Sequence, residues 1–197
     1  MSDVYYNPET GFSGINDIQR KTNLPRKIVE DWLQQQNVYT KHKPIIRRFE
    51  RRRVYSPTTD HQWQTDLVDM QQFSRQNKGY NYILTVIDIF SKYAFAEPIK
   101  HKTGQDVAEA FSKVFQDRNP ILCQSDSGLE YKNRIVQDLF KKYGIKWFST
   151  ENETKAQIVE RFNRTLKGKM YKFFAANNTK LWVDVLTELI KNYNNSY

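Results

Sequence analysis

The 197-residue chain contains one cysteine, Cys123, so no disulfide can form within it. That cysteine follows the apolar Ile121 and Leu122 and reads as a small core residue. Potential zinc ligands are equally scarce: His42 is alone near the N-terminal third, and His61 and His101 have no His or Cys partner at ligand spacing. A structural zinc site is therefore not expected. No run of about 18 apolar residues is present to span a bilayer. The N-terminal Met1-Ser-Asp-Val-Tyr-Tyr6 lacks the basic and then apolar pattern of a secretory signal. Neither a membrane partner nor secretion is expected, which leaves cytosol or nucleus. No internal repeat or low-complexity tract occurs.

Acidic charge is also in deficit, with 22 Asp and Glu against 31 Lys and Arg, a net charge of +9. The excess is concentrated. Between Lys41 and Arg53 stand Lys41, Lys43, Arg47, Arg48, Arg51, Arg52 and Arg53 against Glu50 alone, a net +6 in thirteen residues. Such density suits phosphate neutralisation, which is salt-sensitive and independent of sequence. Pro44, Ile45, Ile46 and Phe49 interleave with the charges, as in a segment that docks rather than a merely solvated linker.

The hydrophobic fraction of 39% and the length predict a soluble chain with one main domain and a smaller element. Residues 1–40 form the smaller one: a short helix after Ser13-Gly14, a break at Thr22-Asn-Leu-Pro25, and a second helix over 26–36 with Ile28, Val29, Trp32 and Leu33 on one face. Two helices joined by a tight turn are helix-turn-helix-like, a unit that reads DNA or packs on a partner. A basic linker spans 41–57, and the main domain 58–197. Within it, strands are predicted at Trp63 to Val68, Tyr80 to Asp88, Tyr93 to Ile99, Ile121 to Cys123 and around Trp147 and Phe148. Helices are predicted after the Thr103 cap and from Ile135 to Lys142, the latter ended by Gly144. Strands first, then alternation with helices, imply an α/β domain with one mixed five-stranded sheet flanked by helices.

Three acidic residues occupy rigid contexts in this scheme. Asp66 lies in the strand Trp63-Gln-Thr-Asp-Leu67, Asp126 follows Ile121-Leu-Cys123, and Glu160 opens the amphipathic run Val159-Glu-Arg-Phe-Asn-Arg-Thr-Leu-Lys167. Brought together they would repel, unless a hard divalent cation such as Mg²⁺ bound their oxygens. At 100° per residue, Val159, Phe162, Leu166, Met170 and Phe173 make the core stripe of the last helix. Glu160, Arg164, Lys167 and Tyr171, with Asn163 at the margin, make an exposed ridge. Taken alone, that ridge reads as a solvated helix face. Asp69, on the opposite strand face from Asp66, and Asp88, before a turn at Phe90-Ser-Lys92, read as structural or surface carboxylates. Trp63, Phe90, Phe95, Phe111, Phe140, Trp147 and Phe162 fall at core-like positions.

Read in order, Trp63-Gln-Thr-Asp66, Ser125-Asp-Ser-Gly-Leu-Glu-Tyr131 and Lys155-Ala-Gln-Ile-Val-Glu-Arg-Phe-Asn-Arg-Thr-Leu-Lys167 resemble the DDE catalytic core of retroviral-type integrases. The likeness is nearest to the integrases of Maverick/Polinton DNA transposons, which Tyr39-Thr-Lys-His-Lys-Pro44 and the end from Trp182 to Tyr197 also resemble. Ser127 departs from it, standing where the family more often has Asn. The resemblance implies a ribonuclease H-like fold in which Asp66, Asp126 and Glu160 converge, bind two Mg²⁺ or Mn²⁺ ions and catalyse polynucleotidyl transfer. It implies 3′-end processing and strand transfer on double-stranded DNA by a homo-oligomer, a dimer or tetramer, acting in the host nucleus after any passage through the cytoplasm. It further implies that Asn163, Arg164 and Lys167 hold the element end beside Glu160, with Lys155 and Gln157 as secondary DNA contacts. Integrases of this kind often carry a C-terminal DNA- or chromatin-binding module, so the sequence is open to being a fragment. A metal-dependent nuclease on the same fold, and a domesticated protein that binds DNA or assembles without catalysis, are the alternative functions.

Overall fold

In the computed structural model the described residues are 1–43, 55–149 and 156–196. The described chain divides into two compact units, one drawn from Met1–Arg52 and Thr165–Tyr197, the other from Arg53–Arg164.

The first unit holds helices α1 (Ser2–Tyr5), α2 (Ile15–Thr22), α3 (Arg26–Gln34) and α4 (Asn37–Lys41). The first and last of these short helices were not anticipated from the sequence. Asn23 ends α2 in the left-handed conformation, and Pro25 stands at the N-cap of α3. Tyr5, Phe12, Ile18, Val29 and Leu33 form a fully buried nucleus, whereas Ile28, expected on the same face, is half exposed. The expected boundary differs: residues 1–40 do not stand as a unit alone, and residues 165–197 join them rather than the sheet domain. Phe173 and Ala176 pack on the nucleus, and the Phe12 and Phe173 rings meet edge to face, 6.1 Å between centroids. Some 40 residues bury too little apolar surface to stand by themselves, which is the physical reason for recruiting more chain. Asn192 ties the pieces together by donating to the carbonyls of Gly11 (2.7 Å) and Pro8 (3.1 Å). Gly11 is required there, because a Cβ would lie 1.8 Å from the Tyr5 carbonyl oxygen.

The second unit is built on strands β1 (Gln62–Asp69), β2 (Tyr82–Asp88), β3 (Ala94–Ile99), β4 (Leu122–Ser125) and β5 (Lys146–Ser149), with helices α5 (Gly104–Asp117), α6 (Leu129–Lys132) and α7 (Arg134–Lys142). The sheet order is β3-β2-β1-β4-β5; β1, β2 and β3 are antiparallel neighbours, and β4 and β5 add in parallel. The two modes follow from the connections: a loop with one 3-10 helix (Gln71–Gln76) joins β1 to β2 and a short turn joins β2 to β3, whereas α-helical crossovers precede the last two strands. Thr103 caps α5 through its hydroxyl, and Asn133 caps α7. Trp63, Leu84, Val86, Phe111, Val136 and Phe140 belong to one core between the sheet and these helices. Phe90 is the exception among the predicted core aromatics: it sits in the β2–β3 turn and is 53% exposed. Asp88 takes the interior place, fully buried, accepting from the backbone N–H of Phe90 (3.0 Å) and the Ser91 hydroxyl (2.6 Å) and pairing with Arg118 (3.2 Å).

Helix α8 (Gln157–Asn177) starts in the second unit and ends in the first, and α9 (Leu186–Asn194) closes the chain's helical order. Val159, Phe162, Leu166 and Met170 of the stripe expected from the sequence are buried along α8, and its fifth member, Phe173, is partly buried. No described helix is long and apolar enough to cross a membrane.

Candidate active site

Side chains alternate along β1, so Trp63 and Leu67 face the α5–α7 core while Gln64 and Asp66 face the other way. Gln64 pairs in register with Gln124 on the parallel β4. Two residues beyond that pair come Asp66 on β1 and Asp126 just past the end of the neighbouring β4.

Local bonds orient each carboxylate. Asp66 Oδ1 accepts from the Leu67 N–H (2.8 Å), and Oδ2 from Asn163 Nδ2 of α8 (2.8 Å). Its carbonyl accepts from the Thr85 hydroxyl on β2 (3.1 Å). Asp126 is exposed, and its Oδ1 accepts from the Gly128 N–H (3.2 Å). Beneath it the Ser125 hydroxyl donates to the Asp126 carbonyl (2.7 Å) and accepts from Trp147 Nε1 (2.9 Å), linking the loop to β5. Glu160 is exposed in the first turn of α8, three residues before Asn163, so the two share a side of the helix. The Asn163–Asp66 bond thus brings the turn that carries Glu160 to the strand that carries Asp66.

Charge at the site is unevenly balanced. Glu130 of α6 is buried and ion-paired with Lys102 Nζ at 2.8 Å. The Lys102 ammonium is held above its ordinary pKa, first by that hydrogen bond and further by the Asp126 charge. Burial pushes the Tyr131 phenol far up, and the charges of Asp66 and Asp126 both add to the rise, so one buried hydroxyl feels the two carboxylates together. Among the described residues, no three His, Cys, Asp or Glu side chains gather closely enough to hold a metal ion. Asp66 has its oxygens turned to protein donors. The donor chemistry nevertheless fits a hard divalent cation: Asp66, Asp126 and Glu160 offer carboxylate oxygens. Asn163 Oδ1 is buried beside Asp66 with no hydrogen-bond partner among the described residues.

The remaining expected site residues divide by position. Asn163, expected on an exposed ridge against DNA, is instead buried at 7% exposure and turned to Asp66; the helix margin at that angle faces the strand rather than solvent. Arg164 is exposed, while Gln157 and Lys167 are partly exposed. Lys155, Arg47, Arg48, Arg51, Arg52 and Arg53 lie outside the described residues. Sequence reasoning missed Lys102, Gln64 and Gln124. The first lies far from the acidic motifs along the chain, and the signal for the glutamines is that a buried glutamine on a strand demands a partner.

A mixed sheet in the order 3-2-1-4-5 flanked by helices is the ribonuclease H-like fold of integrase core domains. Residues 56–153 match the family described as Integrase core domain, and the chain has homologues among transposon-derived proteins and transposases. A transposon-derived protein of Caenorhabditis elegans is 38% identical over 129 residues, 64% of this chain and 45% of that protein. A transposase of an Escherichia coli insertion sequence is 30% identical over 139 residues, 67% of this chain and 47% of that one. The chain therefore spans under half the length of these relatives. The integrase catalytic core domain of HTLV-2, solved in complex with magnesium in a dimeric form, shares the fold with a TM-score of 0.57 at 19% identity, over 68% of this chain and 86% of that one.

Proposed function

We propose that this chain is a DNA integrase, a polynucleotidyl transferase that trims the 3′ ends of a transposon and joins them to target DNA, the element being of the Maverick/Polinton kind that its sequence resembles. One observation carries the reading: Asp66 lies two residues beyond Gln64 on β1, Asp126 two residues beyond its register partner Gln124 just past β4, and the Asn163–Asp66 bond holds the Glu160 turn against β1. Asp66, Asp126 and Glu160 would hold Mg²⁺ or Mn²⁺, two ions per site. When bound, such ions activate a water or 3′-hydroxyl and stabilise the leaving oxygen of an in-line displacement at phosphorus.

The protein's own part is orientation. Leu67 N–H and Asn163 fix the Asp66 carboxylate, Gly128 N–H fixes that of Asp126, and Lys102 offsets part of the local negative charge. Gln157, Arg164 and Lys167 on α8, with Lys155 and the arginines Arg47, Arg48, Arg51, Arg52 and Arg53, supply contacts to DNA phosphates. Joining two element ends to one target needs more than one active site, hence a homo-oligomer, dimer or tetramer, at work in the nucleus. The test is a strand-transfer assay on labelled duplex DNA with Mg²⁺ or Mn²⁺, comparing the chain with Glu160→Gln. Products longer than the substrate, absent in the variant, are expected. Shortened products alone would replace joining by nuclease action, and DNA binding without products would remove the enzyme reading.

A further inference from the structure

The first turn of an α-helix leaves backbone N–H groups without partners inside the helix. Helix α8 begins at Gln157, and two of those donors, the N–H groups of Ile158 and Val159, are satisfied from another element: both donate to Gln64 Oε1 of β1, at 3.0 and 3.1 Å. The Gln64 amide then donates through Nε2 to Gln124 Oε1 of β4 (3.0 Å), which also accepts from Gln62 Nε2 (3.0 Å). Gln64 is fully buried and Gln124 is 5% exposed. A side chain 94 residues away thus does what an N-cap residue ordinarily does locally. It also lies two residues before Asp66, as Gln124 lies two residues before Asp126.

We infer that Gln64 and Gln124 form a buried amide relay that fixes the start of α8, and with it Glu160, against β1, which carries Asp66, and β4, which Asp126 follows, making them positioning residues for the carboxylate site. The inference rests on the proposed reading of that site. Its chemistry needs an amide: the oxygen must accept from α8 while the nitrogen donates to β4, which neither a carboxylate nor a thioether does. The relay is independent of the Asn163–Asp66 bond, so α8 is held at its first turn and again beside Asp66.

The experiment uses the full chain and two readouts, amide hydrogen exchange at Ile158 and Val159 and titration with Mn²⁺ alone followed by its paramagnetic resonance signal. Gln64→Met should speed exchange at those two amides while β1 stays protected, and should weaken Mn²⁺ binding by about 10- to 100-fold, the usual effect of losing an outer-sphere partner. Gln64→Glu keeps the acceptor and loses the donor; it should retain the amide protection. If Gln64→Met does not fold, Gln124→Leu leaves the contact to α8 intact, removes its anchor and should still weaken Mn²⁺ binding. Unchanged exchange in Gln64→Met would overturn the relay. Faster exchange with unchanged Mn²⁺ affinity would reduce it to a helix cap and overturn the positioning role. Absence of Mn²⁺ binding by the unsubstituted chain would refute the carboxylate site itself, a separate failure.

Discussion

Replacing Lys169 by methionine should alter stability by an amount that changes sign with pH. Lys169 lies on α8 at 5% exposure, its ammonium donating to Asn192 Oδ1 at 2.9 Å. Burial is the main cause that lowers its pKa from 10.5 to about 8. Because the folded value is the lower one, the unfolded chain binds this proton more tightly wherever pH lies between the two. The resulting penalty is fully present below pH 8 and relieved as pH rises towards 10.5. At 1.36 kcal/mol per unit, the shift is worth about 3 kcal/mol of destabilisation at neutral pH. Methionine removes that penalty but leaves the fully buried Asn192 without its donor, a loss of about 1–3 kcal/mol at every pH. Lys169→Met should therefore be neutral to about 2 kcal/mol more stable than the parent at pH 7, and should lose about 2 kcal/mol of that relative advantage by pH 9.5. Urea unfolding at the two pH values, followed by tryptophan fluorescence, measures the difference between parent and variant, in which the titration of all other groups cancels. A variant whose stability relative to the parent is the same at both values would refute the account of Lys169 as a buried cation.

Arg118→Met should cost about 3–5 kcal/mol, since it strips the buried Asp88 of its counter-charge, and thermal unfolding reads it directly. Gly11→Ala should destabilise the first unit by about 1–3 kcal/mol, because the added carbon meets the Tyr5 carbonyl; exchange protection at Phe12 and Ile18 should fall while β1 and β2 keep theirs. Asp126→Asn should leave DNA affinity within about twofold while abolishing metal-dependent joining, as gel shift and strand-transfer assays would record. Neutralising Arg47, Arg48, Arg51, Arg52 and Arg53 together should lower the slope of log affinity against log salt by up to about 4, and an unchanged slope would remove the linker from the DNA interface.

The pattern of the second unit was legible because its physics is local. Alternation marked β1, the Thr103 hydroxyl and the Gly144 turn marked helix ends, and the angular spacing of Val159, Phe162, Leu166 and Met170 marked the buried side of α8. What escaped depended on pairs distant in sequence. The fate of residues 165–197 could not be read from α8's periodicity, since a stripe shows that a helix buries one side and not which partner it buries it against. Asn163 shows the same limit at the site: helical geometry put it at a margin, and only the approach of β1 decided that the margin faces Asp66 rather than solvent. Gln64 is the sharpest case. In a strand motif it differs little from Gln62, yet its oxygen takes two N–H groups from the start of α8 while its nitrogen reaches β4. The three carboxylates are visible as a motif because chemistry fixes their identity. The amides that tie the start of α8 to β1 and β4 are ordinary residues until the strands pair, so the part of the candidate site that governs its geometry is the part least marked in its sequence.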